Sequence, residues 1–250
     1  MQTQALVSYL DRYLNASLFR DYAPNGLQVE GKPEITRIVL GVSASQALVD
    51  HACAIGADCV LVHHGWFWRG ESPAVTGMKR RRLAALLEKD VNLIAYHLPL
   101  DAHPVVGNNA ELGRLLGLHA EKHIGEYDLV SIGYPESGPV PLEQFLANVE
   151  TVLRRKPMAV GVSDGTVRRV GWCTGAAQDE LLAAAAEGCD LFISGEISER
   201  TTYEARENGL MYLAAGHHAT ERFGIQALGR HLKKQFPELL ISYFEVDNPV

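Results

Sequence analysis

The sequence predicts an α/β protein built from two related halves, on three observations. Short apolar strands alternate with helical segments, that pattern recurs once along the chain, and 47% of the residues are hydrophobic. A chain of 250 residues with 21% charged side chains can bury a sizeable core, which excludes wholesale disorder. Thirty acidic against 23 basic residues leave a net charge of −7, so no general positive field exists to hold nucleic acid. Uninterrupted apolar stretches such as Leu181–Ala186 run to six residues, against the roughly 20 that a membrane span needs. The opening MQTQALVSYLDRY has no basic start ahead of an apolar core, and the expected location is the cytoplasm. Cys53, Cys59, Cys173 and Cys189 form no C-x-x-C pair and read as reduced thiols, Cys59 and Cys173 within apolar strands.

Taken in order, the first 20 residues form a helix with Leu6, Tyr9, Leu10, Tyr13 and Leu14 on one face, followed by the turn-rich APNGL (23–27). RIVLGVS (37–43) and CVLVHH (59–64) are strands joined by a helix over Gln46–Ile55 that stops at Gly56, a β-α-β unit, and NLIAYH (92–97) is a third strand. From about His119 to Asp164 the character changes: YPESGPVP (134–141) reads as a loop and PLEQFLANVETVLRR (141–155) as an amphipathic helix opened by proline. A shift of 132 positions then lays RVGWCTG (169–175) over RIVLGVS, Gln178 over Gln46, Gly188 over Gly56 and Asp190 over Asp58, with LFIS (191–194) over the CVLVHH strand. MYLAAGH (211–217) matches NLIAYH at a shift of 120, and both end on histidine. The expected division is a first half over 1–118, a connector or small insertion over 119–164 and a second half over 165–250, packed as one compact unit.

The chemistry gathers at the ends of these strands. His63 and His64 are neighbours that reach one site only where their strand stops, and Gly65 follows them. His97 is followed four residues later by Asp101, and His217 four residues later by Glu221. In parallel α/β sheets, ligands collect at the carboxyl ends of strands, where all these residues fall. His63, His64, His97, Asp101, His217 and Glu221 are too many donors for one catalytic ion, which takes about three. Two divalent transition-metal ions fit if a carboxylate bridges them, and imidazole with carboxylate suits zinc, iron, manganese, cobalt or nickel better than calcium or magnesium. His51, His103, His119, His123 and His231 have no acidic companion at that spacing and read as surface or structural, and His218 as a rim residue. The basic run Lys79–Arg82 reads as a solvated helix start or a subunit contact, with phosphate capture as its functional alternative. Trp66, Phe67 and Trp68 read as packing, with base stacking as theirs.

DYAPNGLQVEG (21–31), GVSASQALVDHA (41–52), VHHGWFWRGE (62–71), YHLPLDAHPVVGNNA (96–110), ISGEISERT (193–201) and AGHHATERFG (215–224) together resemble the Nif-three-like dinuclear metal-centre family, whose members carry the label GTP cyclohydrolase 1 type 2 homologue. The resemblance runs from about residue 20 to the end, thins between 120 and 165, and is to the short bacterial form. It implies two metal ions held between duplicated α/β halves in the Nif-three-like fold, and a homohexamer, a toroid of six subunits with the metal sites facing its cavity. Matched position by position, the family's ligands fall on His63, His64, Asp101, His217 and Glu221, which leaves His97 as a proton carrier or a neighbour of the ligands. Where many members have threonine-glycine-aspartate this chain has Ser194, Gly195 and Glu196, which bears on the role of Glu196 in proton movement. No G-x-G-x-x-G or G-x-x-x-x-G-K-[ST] nucleotide fingerprint occurs. The functional expectation is a metal-dependent hydrolase, cyclohydrolase or phosphoesterase-like, acting on a small phosphorylated or heterocyclic, nucleotide-like substrate. The alternatives are a metal carrier or sensor and a ring-shaped scaffold.

Overall fold

Helix α1 (Thr3–Tyr13) forms where Leu6, Val7 and Leu10 recur at helical spacing, and it ends where Asn15 adopts the left-handed conformation at φ +52°. The computed structural model describes residues 1–250. After α1 come β1 (Gly26–Val29), β2 (Arg37–Ser43), α2 (Gln46–Ala54), β3 (Cys59–His64), α3 (Gly77–Glu88), β4 (Asn92–Ala95) and the short α4 (Leu98–Ala102). The Ser45 hydroxyl accepts the Leu48 N–H at 3.3 Å and starts α2, and Gly56, at φ +65°, ends it as expected. The chain continues through α5 (Asn108–Leu116), β5 (Leu118–Ile124), β6 (Val130–Pro135), β7 (Val140–Pro141), α6 (Leu142–Leu153), β8 (Met158–Gly161), β9 (Thr166–Val167) and β10 (Val170–Trp172). It closes with α7 (Leu181–Ala186), β11 (Leu191–Ser194), α8 (Glu199–Glu207), β12 (Met211–Ala214), α9 (His217–Gln235) and β13 (Leu240–Tyr243).

The chain divides into two units, Met1–Val106 with Gly224–Asp247, and Gly107–Phe223 with Asn248–Val250. The first holds a mixed sheet in the order β1-β4-β3-β2-β13, with β1 antiparallel on β4 and the other neighbours parallel. Both faces of that sheet are covered. Ile38, Leu40, Cys59, Leu61 and Ile94 pack with α1 and with Ile225, Leu228 and Leu232 of α9, whereas Val39, Val60, Val62, Leu93 and Ala95 pack with α2 and Leu86 of α3. Alternate residues of one strand therefore serve opposite cores, which is why the strands read as unbroken apolar runs.

The second unit contains a sheet in the order β5-β6-β10-β11-β12-β8. Val170, Trp172, Leu191, Ile193 and Leu213 face α5 and α6, and Phe192, Tyr212 and Ala214 face Leu181 and Ala184 of α7 and Ala205 of α8. The stretch 119–164, expected as a connector or insertion, thus supplies strands and a helix of this unit, and 224–247 supplies a helix end and a strand of the first.

The internal repeat extends to the register of its first parallel strand pair and slips by one residue at the second. Ile38 faces Cys59 and Cys59 faces Asn92 in the first unit, and Val170 faces Leu191 and Leu191 faces Met211 in the second. Each copy carries an antiparallel edge strand on its third parallel strand, β1 on β4 and β8 on β12. At the amino ends of the strands one aspartate holds each copy together. Asp58 accepts the Thr36 and Arg37 amides at 2.9 and 3.0 Å, and Asp190 accepts the Arg168 and Arg169 amides at 2.9 and 3.3 Å. Burial raises the Asp58 pKa, but the Lys32 ammonium and the two amides outweigh it and hold the carboxyl below its ordinary range. At Asp190 burial wins and the pKa is raised.

A depressed folded pKa means that the Asp58 contribution is present above the ordinary carboxylate range and is lost as pH falls through the folded value. Urea unfolding of Asp58→Ala at pH 7 should show a loss of about 1–3 kcal/mol, the cost of leaving two amides without their acceptor. The gap between the variant and the parent chain should narrow once the pH drops below about 4.

Candidate metal centre

His63 and His64 close β3, the first fully buried and the second half-buried, with ring centroids 4.3 Å apart. His97, just past the end of β4, adds a third ring at 5.2 Å from His63 and 5.6 Å from His64. One donor nitrogen from each of the three lies within 4.8 Å of the others. Asp101, on α4 and 6% exposed, brings Oδ1 to 3.4 Å from His63 Nε2.

Each of these imidazoles is oriented through Nδ1. His63 Nδ1 donates to the Tyr96 carbonyl at 3.0 Å, His64 Nδ1 meets the Ser43 hydroxyl at 3.0 Å, and His97 Nδ1 lies 2.7 Å from Asp21 Oδ1. A carbonyl or carboxylate on Nδ1, as for His63 and His97, fixes the tautomer that presents Nε2 as a ligand, whereas the Ser43 hydroxyl can give or take the proton and holds the His64 ring in place. Asp21 is itself anchored: Oδ2 accepts the Leu98 amide and the Asn25 side-chain amide, both at 2.9 Å, while Asn25 Oδ1 accepts the His97 N–H at 2.8 Å. Burial raises the Asp21 pKa, but the hydrogen bond and charge of His97, with Asn25 and Leu98, bring it below its ordinary value, so the carboxylate is ionised.

In the second unit His217 opens α9 and Glu221 follows one helical turn later, on the same face. His217 Nδ1 lies 2.7 Å from Glu196 Oε1 and Nε2 lies 3.0 Å from Glu221 Oε2. Gly175, after β10, makes room for this pair: a β-carbon there would fall 2.1 Å from Glu221 Oε1 and 3.2 Å from His217 Nε2. The Gly175 turn is fixed by its carbonyl, which accepts the Gly195 N–H at 2.8 Å and the Ser194 hydroxyl at 2.9 Å.

These donor sets fit a transition metal. Two donors bound at about 2.1 Å to one ion, at angles between about 90° and 109°, lie about 3.0–3.4 Å apart. That is the separation found for His217 Nε2 and Glu221 at 3.0 Å and for His63 Nε2 and Asp101 at 3.4 Å. The donors are imidazole and carboxylate without thiolate, since all four cysteines lie outside these clusters.

The remaining sequence candidates divide by partner. His51 stacks on Phe244 at 3.9 Å and His231 on Tyr13 at 3.9 Å, His103 accepts the Val105 and Val106 amides, and His119 and His123 contact Tyr134 and Ser131. The backbone N–H of His218 donates to the Val250 oxygen at 2.9 Å. Lys79 lies over the Phe67 ring and against Glu71. Trp66 is buried and donates to the Ala44 carbonyl, a packing role, whereas Trp68 stands edge-on to His97 at 5.0 Å. Asp21 and Asn25 are absent from the sequence-based set. Their signal is the DYAPNG motif, but no local spacing connects it to a histidine 76 residues away.

Residues 1–249 match the family described as Duf34/NIF3 (NGG1p interacting factor 3). The chain belongs to the NIF3 family. It is 50% identical over 246 residues to a Pseudomonas aeruginosa protein named GTP cyclohydrolase 1 type 2 homolog, covering 98% of this chain and 96% of that one. A protein of the same name from Escherichia coli is 48% identical over 250 residues, the full length of both. Among solved structures, protein ybgI, described as of unknown function, superposes with a TM-score of 0.96 at 49% identity over all of both chains. No helix is long and apolar enough to cross a membrane.

Burial alone would lower the His217 pKa, but the hydrogen bond and charge of Glu221, then of Glu196, outweigh it and hold the imidazole at about 9. A raised folded pKa gives this NIF3 member a contribution to stability that is complete below the ordinary histidine value near 6.5 and lost as pH rises through about 9. Proton NMR of the metal-free protein should therefore show the His217 ring titrating near 9, and Glu221→Gln should move that midpoint down toward 6.5. A midpoint that stays put in Glu221→Gln would reject the assignment.

Proposed function

We propose that this chain is a dinuclear metal-dependent hydrolase acting on small phosphorylated or heterocyclic substrates, nucleotide-like compounds first. His63, His64, Asp101, His217 and Glu221 are the proposed ligands of two divalent ions, drawn from zinc, iron, manganese, cobalt and nickel. His97 and Glu196 are the proposed proton carriers. One observation carries the reading: each unit places, at or just past the carboxyl end of a strand, an imidazole whose Nδ1 is held by an oxygen and whose Nε2 lies 3.0–3.4 Å from a buried carboxylate. The first unit supplies His63, His64 and Asp101 and the second supplies His217 and Glu221, donors of the type that holds such ions. When bound, such ions activate water near neutral pH and polarise the bond it attacks.

The protein's own groups then divide the remaining work. His97, held by Asp21 at 2.7 Å, is built to take a proton from the attacking water and return it to the leaving group, with the carboxylate stabilising the imidazolium in between. Glu196 orients His217 and offers a second carboxylate for proton transfer. The name shared by the curated relatives supports a nucleotide-like heterocycle as the first substrate class to assay.

Elemental analysis after loading should find about two ions per chain, and both His63→Ala and His217→Ala should fall well below that. Against a panel of nucleotides and phosphate esters, His97→Gln should retain its metal while turnover drops about 100-fold. Equal turnover by the parent chain and His63→Ala would remove the hydrolase reading. The ring of six subunits is part of the same proposal, and sedimentation velocity should return about six times the 27.4 kDa chain mass.

A further inference from the structure

Helix α6 ends at Leu153, and Arg154, in the left-handed conformation at φ +54°, turns the chain into Arg155, Lys156 and Pro157. Strand β8 then runs antiparallel to β12 with Met158 opposite Ala214. That register sets the basic tripeptide at the carboxyl end of β12, level with Gly216 and His217. The Arg155 side chain lies directly on Gly216, where a β-carbon would come within 2.9 Å of both its Cδ and its Nε. Glycine at 216 is what allows a guanidinium stem to lie on the backbone one residue before His217.

The guanidinium is unusual in its company. Arg155 Nε is buried and has no hydrogen-bond partner. Arg168, Arg169 and Arg200 in the same unit each pair with a carboxylate, namely Asp164, Glu121 and Asp179. Glu196 and Glu221 lie at the same sheet edge, but both are engaged on His217 and neither forms an ion pair with Arg155. The Nε end of this stem is covered on the Gly216 backbone, and the guanidinium beyond it has no carboxylate partner. Without a carboxylate partner, the terminal nitrogens of the guanidinium are available to an oxyanion. Guanidinium presents its donors in a planar fork that matches phosphate oxygens.

We infer that Arg155 binds a phosphate group of the substrate beside the residues proposed to hold metal, which makes phosphorylated compounds the substrate class. The inference rests on the hydrolase reading for its setting, but its test does not require turnover. Binding of inorganic phosphate to the metal-loaded protein is measured by isothermal titration calorimetry for the parent chain, Arg155→Met and Arg155→Gln, with metal content determined on each sample. Arg155→Met keeps the stem and removes the donors, so phosphate binding should weaken about tenfold or more with metal content unchanged. Arg155→Gln keeps a polar group without the charge and should weaken it similarly; it decides the question if the methionine variant does not fold. Equal phosphate affinity in the parent chain and the folded variants, or no phosphate binding by the parent chain, overturns the inference. Weakened phosphate binding together with no hydrolysis of any substrate would sustain the Arg155 assignment and reject only the hydrolase.

Discussion

Neighbouring side chains on a strand diverge, so two consecutive imidazoles come together only where a strand outruns one of its partners. In the first unit β3 pairs with β4 up to Val62 opposite Ala95, and with β2 as far as His64 opposite Ser43. Past Val62 the strand is therefore bonded on one side only. His63 uses this gap to lay its ring across the end of β4 and donate to the Tyr96 carbonyl, while His64 leans toward β2 and the Ser43 hydroxyl. The two rings are thus fixed by different neighbouring strands and still lie 4.3 Å apart. His97 and Asp101 depend on the same ending, because both follow β4 at the point where it stops.

The second copy keeps the strand order, with its third strand displaced by one residue, and changes the donors. Position 175, the counterpart of Ser43, is glycine, and the space where a hydroxyl holds His64 in the first copy is given over to Glu221. Position 196, the counterpart of His64, is glutamate, and it contacts His217, which is the counterpart of His97. One unit therefore presents three imidazoles with Asp101, and the other presents one imidazole between two carboxylates. Glu221 on Nε2 and Glu196 on Nδ1 make the His217 imidazole more basic than a free one. The duplication has produced unequal donors on one strand plan.

The central strands were legible because burial on both faces leaves a long apolar run, and β2, β3 and β11 begin and end where those runs do. Edge strands carry no such signature. In β5, LHAEKHI is exposed along much of its length, and β1 starts inside APNGL, where Gly26 at φ +96° belongs equally to a turn and to a strand end. The affiliation of 224–247 was hidden for a related reason: the apolar stripe of α9 is continuous and bears no mark of which core each turn enters. At the site, the acid four residues after each histidine lies on the next helical turn and was readable as a local spacing. Asp21 was not, because its bond to His97 exists only after the sheet has brought distant segments together. Glu196 fell between the two cases. Its extra methylene relative to aspartate placed its role in question, and its carboxylate lies against His217 Nδ1.

Asp101 and Glu221 are 6% and 2% exposed, so these carboxylates have given up most of their hydration. Burying a carboxylate is unfavourable unless positive charge or several donors replace the lost water. In the second unit the metal-free chain answers with a proton, drawing the His217 imidazole up to about 9 between Glu196 and Glu221. That proton lies between the imidazole and the buried Glu221 carboxylate. Arg155 at that edge is left out of the arrangement, and neither acid pairs with it. Had the acids been built for folding alone, pairing one with that guanidinium would satisfy both groups. An unpaired guanidinium thus stands at the same sheet edge as a histidine held between two acids, which is the separation that the proposed metal and phosphate sites require.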